Sequence, residues 1–139
     1  MKSKYAPLVK LKKKSLDNTE RSLISANNEL SSASTKLHHA YEDLSRMMLP
    51  TQGSIGEFTQ AAAIIHAQHL TIEECKNRLQ LAEQKQVQAR ERFKQAMIDY
   101  EKFKYLEVQE MNEHLKLLKA QEDKMLDEIG TITYKREIL

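Results

Sequence analysis

Four histidines and one cysteine are the side chains of this 139-residue chain best suited to hold a metal or attack a substrate: His38, His39, His66, His69 and Cys75. If the chain folds back between the two histidine pairs, four imidazoles fall at one level, a donor set that suits zinc. The spacing argues against it. His66 and His69 share a helix face, but His38 and His39 point in different directions from a helix that commits Leu37 and Ala40 to an apolar stripe, and no carboxylate is placed to orient the rings. Cys75 would have to be a thiolate to react, and its place on another apolar stripe predicts a buried, inert thiol. There is no Gly-rich phosphate loop, no G-x-S-x-G and no H-E-x-x-H. The residues therefore predict no catalytic centre, no cofactor and no bound metal; the chain does not read as an enzyme.

The elements around these residues are long helices. Leucine recurs at every seventh position from Leu16 through Leu23, Leu30 and Leu37 to Leu44, and Ala26, Ala33 and Ala40 each follow one of those leucines by three. A strict seven-residue repeat keeps one apolar stripe facing one partner helix, and alanine in the second column lets the backbones approach closely. Pro7 suits a first helical turn, where its missing N–H would be unpaired anyway. Two of the three glycines and the second proline lie in residues 49–56 and predict a turn. Helix one is thus expected over about residues 7–48, helix two over about 57–129 with Gly130 as its stop, and a short tail over 130–139. Helix two carries its own seam in Phe58, Ile65, Ile72 and Leu79, with Ala61 or Ala62, Cys75, Ala82 and Ala89 between, then Phe93, Met97 and Tyr100.

A short loop makes such helices antiparallel neighbours. The expected fold is all-α: a single domain forming a long two-helix antiparallel coiled-coil hairpin, with the second helix overhanging the first. Folding back near Gly53 would set residue i level with about residue 106 − i, so that Pro7 reaches only Tyr100. Beyond that point the apolar periodicity continues through Met111, Leu115, Leu118, Met125, Ile129 and Ile132. Two successive steps of four, through Lys104 to Val108, predict a break in the heptad register there. A stripe without an intramolecular partner needs another molecule to cover it.

Composition excludes several classes of function. A formal net charge of +2 gives no reason to expect nucleic acid. The lysines at positions 2, 4, 10 and 12–14 are followed by no zinc or base-reading motif and read as a solvated helix start. Residues 106–128 carry seven acids against three bases. A lone cysteine fits a reducing cytosol, and no apolar run approaches the roughly 18 residues of a membrane span.

The opening Tyr5, Leu8, Val9, Lys10, Leu11 and Lys12 to Lys14, then a long helix, a short Pro/Gly loop and a longer helix, resembles the FliJ family of flagellar type III export proteins, related to the YscO and CdsO proteins of injectisomes. The resemblance implies a cytoplasmic, monomeric stalk at the inner face of the cell membrane, involved in motility. Its terminal end would enter a hexameric FliI-like export ATPase, its loop side would face the FlhA-like export gate, and it would escort export chaperones. For the ATPase contact it points to Met111, Leu115, Leu118, Met125 and Ile129. For the gate contact it points to Phe58, Ala62, Ile65 and His69, where Phe58 and His69 match the family's pattern in type and Ala62 and Ile65 depart from it. Phe58 and Ile65 fit the intramolecular seam equally well. Two other classes stay open: a secretion chaperone or holdase, which would want a promiscuous Met-rich stripe, and a scaffold coiled coil, which would form a parallel dimer. The break at Pro50, Gly53 and Gly56 counts against the second.

Overall fold

The structure is a computed structural model that describes residues 3–138. Two helices, α1 (Ala6–Arg46) and α2 (Ile55–Ile138), pack against each other as a hairpin, and no strand occurs among the described residues.

The turn is set by local chemistry. Pro50 disfavours helical backbone at Leu49, and α1 closes at Arg46 with a last tight turn from Met47 N–H to the Leu44 carbonyl at 3.0 Å. Gly53 has φ +146°, a region that only glycine enters freely. Ser54 then caps α2: its hydroxyl accepts from Glu57 N–H at 3.3 Å, and its carbonyl accepts from Glu57 and Phe58 N–H at 3.1 and 3.2 Å. Ser54-x-x-Glu57 has the spacing of a capping box, and the acid lies in the first turn, where the helix dipole favours it. The helix therefore starts at Ile55, two residues before the expected point. Ser54→Ala should cost about 1 kcal/mol, seen as a drop of several degrees in the melting temperature by circular dichroism; an unchanged melt would remove the cap from the account.

At its other end α2 passes through Gly130, the expected stop, and continues to Ile138. Glycine inside a helix costs only about 1 kcal/mol relative to alanine. Thr131 and Thr133 follow the glycine without breaking the ladder, their hydroxyls bonded back to the Asp127 and Ile129 carbonyls at 2.9 Å.

The chain divides into two compact units, one of residues 17–95 and one of residues 1–16 with 96–139. In the first, the side chains withdrawn from solvent keep the heptad on both helices. On α1 the apolar ones are Leu23, Ala26, Leu30, Ala33, Leu37, Ala40 and Leu44; on α2 the withdrawn side chains are Ala61, Ile65, Gln68, Ile72, Cys75, Leu79, Ala82, Gln86, Ala89 and Phe93. Asn27 meets Gln86 at 3.1 Å, Glu29 meets Lys85 at 3.8 Å, and Gln68 donates to the Ala40 carbonyl at 2.9 Å. Facing residue numbers thus add to about 112, not 106. That register sets Leu23, Leu30 and Leu37 level with Ala89, Ala82 and Cys75, and Ala33 and Ala40 level with Leu79 and Ile72. Large opposes small in each layer, which is how two helices come close without voids. Ile72, 3% exposed, is the most deeply buried side chain.

The same register puts the end of α1 level with about residue 67, so α2 begins about three turns beyond it. Only the eight-residue connection 47–54 can lie beside those turns, and its Met47 and Pro50 are half-buried. The shift from 106 to 112 has this cause: the helices do not meet at the turn.

In the second unit Leu16 and Ala96 are buried, and Tyr100, Phe103, Glu107, Glu110 and His114 continue the steps of four and three. The expected register break is absent. Ala96, not Met97, holds the seam position, and Phe103 follows where no seam residue was expected. Ser3 donates to the Glu110 carboxylate at 2.7 Å, so the covered part of α2 reaches well past Tyr100. Two lysines of the basic run are occupied there: Lys12 stands 5.5 Å from the Phe103 ring centre and Lys13 5.6 Å from that of Tyr100, each such contact contributing about 0.5–1 kcal/mol at a solvated site.

Candidate partner-binding surfaces

The histidines do not converge. His38 and His39 both turn to Glu42, at 2.8 and 3.5 Å, so a carboxylate does orient these rings, on their own helix and in solvent. In the observed register His66 and His69 lie level with residues 43–46, away from the other pair. No group of three or more His, Cys, Asp or Glu side chains is placed to hold a metal among the described residues. Cys75 is half-buried, not fully buried, and lines an open groove. Among the described residues Lys76 is held above its ordinary range by a hydrogen bond with the Tyr41 hydroxyl and then by Glu73 at 3.4 Å, an exposed pairing at the protein surface.

Of the loop-end residues Phe58 and Ile65 are in the seam's phase, whereas Ala62 and His69 each stand one residue after a seam position. Phe58 stands in the same heptad column as Ile65 and Ile72, yet it is 38% exposed because α1 has ended before its level. Ala62 and His69 are exposed, whereas Ile65 is half-buried. Of the two alanines left open by the sequence, Ala61 turns inward. Phe58, Ala62, Ile65 and His69 follow at four, three and four residues and so share one face of α2.

In the second unit residues 115–137 are exposed throughout. Met111, Leu115, Leu118, Met125 and Ile129 are between 42% and 60% exposed, and Val108 and Ile132 extend the row. Each of these stands one residue after a position in the seam's phase, which turns the row by about 100° around the helix from the face that α1 covers. The apparent register break in the sequence is this sideways offset between two stripes on one helix. Apolar periodicity alone cannot distinguish it from a slip of a single stripe.

In this unit α2 thus has one stripe covered by its own chain and a second left open, and over the sequence as a whole the family model for the flagellar FliJ protein matches residues 1–138. The chain belongs to the FliJ family. No curated protein and no solved structure gives a significant match. Membership makes the chain a flagellar export-related protein, associated with the export machinery. No described helix is long and apolar enough to cross a membrane.

Proposed function

We propose that this FliJ-family chain is the central stalk and chaperone escort of the flagellar type III export apparatus, a cytoplasmic, non-enzymatic component seated at the inner face of the membrane. Its terminal end engages a hexameric FliI-like ATPase and its loop end an FlhA-like export gate. The observation that carries this reading is the uncovered row from Met111 to Ile129. An apolar stripe of that length is unusual on a solvated helix and calls for a cover that wraps the helix, which a ring pore supplies. The loop end supports a second contact, because Phe58, Ala62 and His69 present a small exposed patch near the turn.

The two contacts should fail separately. Phe58→Ala with His69→Ala is expected to weaken gate binding by about tenfold, the order expected for an aromatic anchor at an interface, while ATPase stimulation stays at its normal level. Because Phe58 has no α1 beside it, the double variant should melt within a few degrees of the parent. Pull-down on the gate's cytoplasmic domain, with a circular dichroism melt alongside, is the check. Loss of both functions together with a large fall in melting temperature would return Phe58 to the core.

A further inference from the structure

The hairpin unit of residues 17–95 carries a groove that neither proposed contact uses. It has a volume of about 790 Å³ and runs between α1 and α2; Ala33, Cys75 and Ala82 line its floor, and Ile24 and Leu81, each 53% exposed, stand at its sides. The small seam residues that let the helices approach also leave this side shallow and open. Its charge is one-sided. Arg21, Lys36, Arg78 and Lys85 line it against one acid, Glu29. A smaller hollow of about 410 Å³ shares Arg21, Glu29 and Lys85 and adds Arg92. Arg78 and Lys85 already have carboxylates, Glu74 at 2.6 Å and Glu29 at 3.8 Å. Arg21 and Lys36 form no ion pair among the described residues.

From this geometry we propose that the groove docks an amphipathic helix of a partner protein, with an apolar stripe set between Ile24 and Leu81 and acidic residues on both flanks. Length supports a helix. From Cys75 to Arg92 the lined stretch of α2 spans 18 residues, roughly 25 Å at 1.5 Å per residue, enough for four to five turns laid alongside. Shape supports it too, since a third helix against two is the ordinary way to cover such a face. The sign of charge selects the partner, as cations on both walls favour acids on both flanks and oppose a basic helix. The inference is independent of the export reading.

The experiment uses the full chain and two designed 18-residue helices with the same leucine stripe, one flanked by glutamate and one by lysine. Fluorescence anisotropy of the labelled peptides should show the acidic helix binding at least tenfold more tightly, with affinity falling as salt rises. Cys75 is the only cysteine, so its modification by a bulky maleimide should slow several-fold when the acidic helix is bound. Arg21→Glu with Lys36→Glu should abolish or reverse the preference. Ser32→Phe, at an exposed α1 position lining the groove, should block it sterically with helicity unchanged. Binding of neither helix, equal binding of both, or acidic-helix binding that survives Ser32→Phe without protecting Cys75 would overturn the proposal.

Discussion

Replacement of Ile72 by aspartate is expected to unfold the hairpin at physiological temperature. Ile72 is the least exposed side chain described and stands level with Ala40, itself only 5% exposed. Its substitution removes an apolar side chain whose burial is worth about 1.5–3 kcal/mol. It also places a carboxylate at a position that is only 3% exposed, a further cost of several kcal/mol before the chain relaxes. A small domain commonly holds only about 5–15 kcal/mol in all. Far-ultraviolet circular dichroism should show most of the helicity lost near 37 °C, and every partner contact should disappear with it. Ile72→Val, which keeps the shape and deletes one methyl group, should cost only about 0.5–1.5 kcal/mol. A variant with aspartate at 72 that melts like the parent would mean that the seam does not carry the fold.

Truncation after His114 should have the opposite signature, an intact hairpin without the ATPase stimulation that the proposed stalk role requires. The last seam positions, Glu110 and His114, and the Ser3–Glu110 bond are retained, while Leu115, Leu118, Met125 and Ile129 are removed. Stimulation of the export ATPase is expected to fall to the unstimulated rate, with a melting temperature changed by a few degrees at most. Leu115→Ser with Leu118→Ser in the full chain should reproduce most of the loss by removing two side chains from the open row. A truncated protein that stimulates normally would place the ATPase contact elsewhere.

How legible these features are in the sequence depends on the range over which each is decided. The leucine and alanine heptads of α1 are local periodicities, and the withdrawal of Leu23, Leu30 and Leu37 from solvent follows from them directly. The pairing register is not local. It depends on where α2 starts relative to the end of α1, and the Ser54–Glu57 cap starts it early while the connection runs back beside the helix. A shift of about six in the facing numbers moves the level of the start of α1 from about residue 100 to about residue 106, Ser3 ahead of α1 extends the cover to Glu110, and the same shift separates the two histidine pairs. The Ser-x-x-Glu spacing at 54–57 is a local signal that marks the start of α2. At the 96/97 pair the heptad phase places Ala96, not the larger Met97, in the seam. Gly130 has the residue type of a helix stop, but a cost of about 1 kcal/mol is within what the neighbouring turns tolerate. The groove was invisible, since it arises from what the seam residues lack on two helices at once.

The bare stretch of α2 after His114 has a thermodynamic consequence. A helix gains most of its stability in proteins from a packed face, and residues 115–137 have none within the chain. Their amide protons should therefore exchange with solvent far faster than those around Ile72. A partner that closes over this stretch must suppress its fraying and desolvate the open row in the same event. Association should show a negative heat-capacity change larger than the covered apolar area alone accounts for, and an enthalpy that becomes more favourable on warming.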